Sequence, residues 1–149
     1  MAVRQIYTSR YRHGVDGKRR VQIPAKWRPD EENAQLTLLV WTDEVSQKIC
    51  LRVIPEWQME AFLARIEVMS TSDPEAVALR RVIAGDAEQG TMDKAGRICI
   101  PEKMAAQVGI TDEAEMIGAL QWFEIWSPEH FAPADTNDKA LVPGAKKKI

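Results

Sequence analysis

Two short stretches of this chain alternate strictly between polar and apolar side chains. In Arg20-Val-Gln-Ile23 the apolar residues are Val21 and Ile23, and Arg97-Ile-Cys-Ile100 repeats the pattern. Side chains with a period of two point to opposite faces of a β-strand, so one face of each stretch is buried and the other meets solvent. The pattern therefore predicts two half-buried strands.

A turn in front of each strand and a proline behind it complete the pattern. Asp16 and Asp93 open the two turns, since an Asp carboxylate can accept backbone N–H bonds from residues just ahead in the chain. Pro24 and Pro101 suit the first position of a helix, where no N–H is needed. The second of these helices is predicted to end at Gly109, and the first is short.

The remaining patterns predict two further strand pairs and two helices. Apolar side chains recur at helical spacing from Met59 to Ile66, which predicts one apolar helix face. A capping box at 72–75 opens a second helix that ends at Gly85. The predicted strand pairs are 36–41 with 48–54, and 115–120 with 122–126.

The order of these elements repeats along the chain. The motif Asp-x-x-x-Arg, β-branched residue, any residue, Ile-Pro occurs at 16–24 and again at 93–101. A second similarity, between 51–57 and 123–129, follows each copy in the same order. Two matches in one order indicate an internal duplication.

The repeat predicts an α+β protein, mainly β, with two similar halves. Residues 1–57 form the first repeat, 58–85 the connecting helices and 86–131 the second repeat. The tail at 132–149 is rich in Ala, Pro, Asp and Gly and ends in lysines, so it is predicted to be disordered.

Composition narrows the classes of function. The chain has 149 residues, two cysteines without a CxxC motif and two histidines, so we expect no metal site and no cofactor. No Gly-rich phosphate loop, nucleophile elbow or zinc-protease motif is present, which argues against an enzyme. Because no apolar run reaches the roughly 18 residues of a membrane span, and no secretory signal opens the chain, we expect a cytoplasmic protein.

Charge is distributed unevenly along the chain. The formal net charge is −2, yet residues 1–28 hold eight basic side chains and one acid, Asp16. A basic segment on an acidic body can orient one face towards a polyanion. The alternative is that these cations pair with acidic neighbours inside the fold, and charge alone does not decide between the two.

With two copies of Asp-x-x-x-Arg, each entering a strand that ends in Ile-Pro, residues 5–131 resemble the MraZ family of transcriptional regulators. The resemblance implies a duplicated AbrB-like, swapped-hairpin barrel and a ring-like homo-oligomer, octamer-like in size. It also implies binding to double-stranded DNA, at direct repeats upstream of the division and cell-wall gene cluster. That cluster includes the regulator's own gene, which we expect it to repress, and the protein would then associate with the nucleoid.

By the same resemblance, the Asp-x-x-x-Arg loops contact DNA. The sequence departs from the family pattern at two positions: Arg19 stands where the motif has Gly, and Ala95 where it has Lys, with a lysine one place earlier. The predicted DNA-binding residues are Asp16, Lys18, Arg19, Arg20, Asp93, Lys94 and Arg97.

Other interpretations of the same residues remain open. Each motif arginine could pair with its own aspartate and only lock the turn. An AbrB-like antitoxin, which binds a toxin and its own promoter, is the alternative function, and a ring scaffold without DNA is a third. Five tryptophans are a large apolar load for two small halves, so Trp41, Trp122 and Trp126 are candidates for subunit contacts, with burial inside the subunit as the alternative.

Overall fold

Eight strands and four α-helices are found in the part of the chain that the structure, a computed structural model, describes: residues 4–31 and 33–149. One-turn 3-10 helices lie at Ala25–Trp27 and Lys146–Lys148. The elements in chain order are β1 (Arg10–Gly14), β2 (Arg20–Gln22), β3 (Leu36–Thr42), β4 (Ile49–Pro55), α1 (Glu56–Glu67), α2 (Pro74–Asp86), β5 (Glu88–Gly90), β6 (Arg97–Cys99), α3 (Glu102–Val108), β7 (Glu113–Gly118), β8 (Phe123–Trp126) and α4 (Pro128–Ala145).

The strands form a six-stranded antiparallel sheet and a separate two-stranded ribbon. The sheet order is β1-β7-β8-β4-β3-β5, and the ribbon pairs β2 with β6. Exchanging each strand with its counterpart in the other half leaves both arrangements unchanged. The two halves are therefore related by a pseudo-twofold axis. They are also interleaved, because the ribbon (β2 with β6) and the central strand pair of the sheet (β4 with β8) each take one strand from each half. The predicted class, α+β and mainly β, is confirmed.

One core fills the space between the sheet and the ribbon. Leu38, Leu51 and Met116 from the sheet are fully buried, as are Val21 and Ile98 from the ribbon. Aromatic rings close one side of this core, with the ring centroids of Trp27 and Phe123 stacked at 4.9 Å. The burial of Val21 and Ile98 agrees with the alternation that predicted their strands.

A charged pair surrounded by tryptophans marks the middle of the outer sheet face. Arg52 and Glu124 are opposite each other in the β4–β8 pairing, and their Nε and Oε2 atoms are 3.6 Å apart. The guanidinium carbon of Arg52 lies 4.0 Å from the ring centroid of Trp41 and 4.3 Å from that of Trp122. Trp126 donates its indole N–H to Glu124 and is buried within the protomer. For Trp126 the alternative of burial inside the subunit therefore holds, and it is not a subunit contact.

The cap of the second connecting helix, α2, differs from the predicted one. Asp73, in place of the predicted Ser72, caps α2 by accepting the N–H of Glu75 at 3.0 Å. Arg80 on α2 donates to the carbonyl oxygens of Ile66 and Met69, both at 2.9 Å. This arginine therefore joins α2 to the last turn of α1 and to the loop that follows it.

The tail from Ala132 is helical, so the prediction of disorder there is wrong. Ser127 caps α4 by accepting the N–H of His130 at 3.0 Å. Phe131 packs its ring 5.7 Å from that of Trp126. Asp135 pairs with Nη1 of Arg10 at 2.9 Å, a contact across 125 positions of sequence. These contacts dock the helix on the sheet and offset what its internal prolines cost.

Within 4–31 and 33–149, no helix is long and apolar enough to cross a membrane.

Candidate nucleic-acid interface

The β2–β6 ribbon carries the two copies of the motif. Val21 is opposite Ile98 in the pairing, and both face the core with no exposed surface. Side chains at the flanking positions point the other way, because alternate residues of a strand face opposite sides. The outward positions of the ribbon are Arg20, Gln22, Arg97 and Cys99.

The first loop is organised by one carboxylate. Oδ1 of Asp16 accepts the backbone N–H groups of Lys18 at 2.9 Å and Arg20 at 2.8 Å. Oδ2 accepts Nε–H of the Arg20 side chain at 2.7 Å. Closing the turn, the N–H of Arg19 donates to the carbonyl of Asp16 at 2.9 Å.

The second loop has the same hydrogen bonds at equivalent positions. Oδ1 of Asp93 accepts the N–H groups of Ala95 at 3.0 Å and Arg97 at 2.9 Å. Its Oδ2 accepts Nε–H of Arg97 at 3.0 Å. The departures from the family pattern at Arg19 and Ala95 therefore do not change the turn, because the carboxylate bonds to backbone groups that every residue supplies.

Residue 19 nevertheless differs from its glycine counterpart. Arg19 has φ +61°, and Gly96 has φ +81°. A Cβ on Gly96 would lie 2.6 Å from the guanidinium carbon of Arg28, so a larger residue there would have to displace the Arg28 side chain. Arg19 carries its Cβ in a left-handed conformation that non-glycine residues rarely adopt. Its Nε–H donates to the carbonyl of Ile100 at 3.0 Å, which commits part of this side chain to the protein.

Each loop is also fastened to the strand that belongs to the other copy. Ile23 donates its N–H to the carbonyl of Gly96, and Ile100 donates its own to that of Arg19, both at 2.8 Å. Because β2 and β6 are antiparallel, the loops lie at opposite ends of the ribbon and share one outward face.

The aspartates orient the two motif arginines but leave most of their hydrogen-bond donors free. Their side chains remain 32% exposed for Arg20 and 33% for Arg97. Arginine has five N–H donors, and the Asp pairing uses only the one at Nε. Nη1 of Arg97 lies 3.9 Å from Oδ2 of Asp16, in the other loop. The turn-locking geometry is therefore present, and it also aims the terminal nitrogens of both arginines.

The ribbon ends gather all seven residues predicted from the sequence. Lys18 and Lys94 are exposed at the loop tips. The remaining basic segment behaves differently, since Arg10 pairs with Asp135 at 2.9 Å and Nε of Arg12 donates to Glu115 at 2.6 Å. Part of the positive N-terminal charge is thus neutralised inside the fold.

Two supporting residues were not identified from the sequence. Arg28 donates its Nε–H to the carbonyl of Ile23 at 2.9 Å, and its guanidinium lies beneath Gly96. Gln22 donates its amide to the carbonyls of Ala95 at 2.9 Å and Gly96 at 3.3 Å. Arg28 lies outside the repeated motif, and Gln22 has no chemical counterpart at the equivalent position, so neither gave a local signal.

Hydrogen bonding shifts both loop carboxyls. The N–H of Arg20 is the largest of the influences that hold the pKa of Asp16 below its usual value, and the side-chain bond from Arg20 adds to it. The N–H of Arg97 does the same for the pKa of Asp93. Bonds to the charged form favour that form, so both loops keep their carboxylates ionised at neutral pH.

Across 4–31 and 33–149, no group of three or more His, Cys, Asp or Glu side chains could hold a metal ion.

The interleaved halves and the ribbon define the class of this protein: a duplicated, AbrB-like barrel. A family model described as "MraZ protein, putative antitoxin-like" matches residues 83–141. A Transcriptional regulator MraZ of Thermomicrobium roseum is 32% identical over 127 residues, 85% of each chain. One from Herpetosiphon aurantiacus is 34% identical over 126 residues, 85% of this chain and 84% of the relative. The chain belongs to the MraZ family of transcriptional regulators, as its paired motifs predicted, and that is not a class of enzyme.

Replacing both loop carboxylates, Asp16→Asn with Asp93→Asn, should lower stability at neutral pH but not in strong acid. Each carboxyl has a folded-state pKa below its unfolded value. Its contribution is complete above the unfolded pKa of about 3.9 and is lost as the pH falls through the folded-state pKa. The difference in Tm between wild type and variant should be constant above about pH 5 and shrink below about pH 3.

Asp138→Asn is the control of opposite sign. Burial, followed by repulsion from Asp43 and Glu124, raises the pKa of Asp138. Its charge therefore opposes folding at neutral pH, so this variant should gain stability there and lose the gain in acid. A loop double variant as stable as wild type at pH 7 would show that the carboxylates do not hold the loops.

Proposed function

We propose that this regulator binds double-stranded DNA through the outward face of the β2–β6 ribbon. The observation that best supports this proposal is that two arginines, each oriented by its own aspartate, lie on one exposed face of the ribbon. With Lys18, Arg19 and Lys94, the loops hold five cations against two carboxylates.

The geometry suits duplex DNA for two reasons. The major groove admits a two-stranded β-ribbon, and the terminal nitrogens of an oriented arginine match the O6 and N7 acceptors of guanine. The exposed lysines at the loop tips can contact phosphates, which position the protein without reading sequence. Because the whole chain has a net charge of −2, its field favours docking through this face over general adhesion to nucleic acid.

The resemblance supports a more specific target. We propose that the protein acts as a repressor at direct repeats upstream of the division and cell-wall gene cluster, including its own gene. It would then act in the cytoplasm, at the nucleoid. The relatives from Thermomicrobium roseum and Herpetosiphon aurantiacus are named transcriptional regulators, which supports this proposal.

A ring-like homo-oligomer, octamer-like in size, is part of the proposal. One ribbon contacts few phosphates, so one protomer alone binds weakly. Several ribbons on one ring, meeting repeats in register, convert later contacts into intramolecular ones and add roughly 10²–10⁴-fold in affinity. Trp41 and Trp122 are half-buried on the outer sheet face and stay candidates for subunit contacts.

An antitoxin is the alternative function, and the description of the matching family model includes that term. Such proteins use one copy of the barrel unit and a long disordered tail that wraps a toxin. This chain has two interleaved copies. Its C-terminal segment forms a helix that Ala134 and Phe131 pack against the sheet. The structure therefore favours the regulator, and a small toxin gene beside this one would favour the antitoxin.

Removing both oriented arginines, Arg20→Ala with Arg97→Ala, should lower affinity for the DNA upstream of the protein's own gene. Each guanidinium contact with a base is worth about 1–3 kcal/mol, so the loss should be on the order of 100-fold in fluorescence anisotropy titrations. Arg81→Ala removes an exposed cation on α2 and should leave affinity nearly unchanged. Equal affinities for the wild type and a folded double variant would contradict the proposed interface.

The oligomer should be visible in mass and in DNA spacing. Light scattering at micromolar concentration should give a mass several times 16.8 kDa. Inserting about 5 base pairs between two repeats turns the second to the opposite face of the duplex. Affinity should then fall to near that of a single repeat. A monomer in solution, or equal binding to both duplexes, would overturn the multivalent mechanism.

A further inference from the structure

The two ends of the ribbon have the same backbone but different outward side chains. The pseudo-twofold axis passes between Val21 and Ile98, which are opposite each other. It relates Arg20 to Arg97 and Gln22 to Cys99. The arginines are therefore identical at both ends, whereas an amide at one position corresponds to a thiol at the other.

The strand register places each of these side chains beside one arginine. Gln22 is opposite Arg97, and Cys99 is opposite Arg20. Side chains directly opposite in an antiparallel pair share a face, with Cβ atoms about 4.5–5.5 Å apart. A base pair met by either arginine therefore has a different second neighbour at each end of the ribbon.

Hydrogen bonds inside the protein fix what Gln22 can offer to a ligand. Its amide nitrogen donates to the carbonyls of Ala95 and Gly96 in the second loop. That leaves its carbonyl oxygen as the available group, which is an acceptor. In the major groove an acceptor selects a base with an amino group, which is adenine or cytosine.

At the equivalent place Cys99 offers a nearly apolar group in place of the acceptor that Gln22 offers. Its Sγ is 3.4 Å from the carbonyl oxygen of Lys18, to which the thiol can donate. The side chain is exposed. A thiol is a small, polarisable group and only a weak acceptor. It therefore fits an apolar feature of the groove, and the methyl group of thymine is the one available there.

We propose that Gln22 and Cys99 determine specificity, so that one ribbon recognises two different base pairs despite its symmetric backbone. Beside the guanine contacted by Arg97, Gln22 selects adenine or cytosine. Beside the guanine contacted by Arg20, Cys99 selects thymine. Each protomer thus binds a site without dyad symmetry. This inference rests on the proposed DNA-binding function and adds the residues that choose its sequence.

The test is selection from a randomised duplex library with the full-length protein and two variants that make the ribbon symmetric. Cys99→Gln places an amide at both ends, and Gln22→Cys places a thiol at both. Wild type should enrich an asymmetric site. Each variant should enrich a more dyad-symmetric one, with adenine or cytosine at both ends for the first and thymine at both ends for the second. Affinity of each variant for the wild-type site should fall on the order of tenfold.

Different outcomes of the selection test the role of Gln22 and Cys99 and the DNA-binding function separately. If both folded variants enrich the wild-type sequence with undiminished affinity, Gln22 and Cys99 do not determine specificity, although DNA binding stands. If wild type enriches no duplex at all, the proposed function fails and this inference fails with it. Because Cys99 is exposed, the Cys99→Gln variant should keep the wild-type Tm. That variant still tests the inference if Gln22→Cys disturbs the second loop.

Discussion

Three residues from each half of the chain form the β2–β6 ribbon, and a single bridge from Val21 to Val15 is the only other β-pairing of these two strands among the described residues. Two strands of this length are marginal in water unless one face is buried. Val21 and Ile98 supply that face, since both are fully buried in the common core. The bonds from Ile23 to Gly96 and from Ile100 to Arg19 then fasten each loop to the opposite strand. Each turn is built by its own aspartate but is fastened by a backbone bond from the other half, so we expect the two motifs to fold as one unit.

The hydrogen bonds of the two loops explain why each end of the proposed DNA interface contains an aspartate. Asp16 and Asp93 would repel phosphate, yet each accepts two backbone N–H groups and one arginine Nε. The carboxylate fixes the turn and limits the rotamers of its arginine. In the proposed function the guanidinium would thereby be positioned before DNA binds, which would reduce the entropy lost on binding. The cost of the local negative charge is offset by the cations that surround it.

The sequence predicted those parts of the fold that depend on local pattern. Alternation at 20–23 and 97–100 located the ribbon strands, and the Asp that opens each motif located the turns. The pairing of β2 with β6 was beyond a local pattern, because its partners lie far apart in the chain. The family resemblance implied a swapped-hairpin barrel but did not name this strand pair. The disorder predicted after Ala132 was wrong for a related reason, since composition does not reveal the contact between Arg10 and Asp135 that docks α4.

The candidate site was predictable to a similar depth. All seven residues came from the two motifs, and the structure gathers them at the ends of one ribbon. Arg28 and Gln22 were missed because their roles come from tertiary contacts: one lies beneath Gly96, and the other holds the carbonyl of Ala95. Arg19 was expected only to contact DNA, whereas part of its side chain supports Ile100.

The most direct test of the central claim, that DNA covers the outward face of the ribbon, uses the two cysteines of the chain. Cys99 is exposed on that face, and Cys50 is buried beneath α4 with 2% of its surface exposed. A maleimide should label Cys99 alone in the free protein. The unreactive Cys50 reports that the fold is intact. Saturation with the duplex from upstream of the protein's own gene should slow labelling of Cys99 on the order of tenfold or more, as expected for a site occupied most of the time. Labelling of Cys99 at an unchanged rate in the saturated complex would show that DNA binds elsewhere.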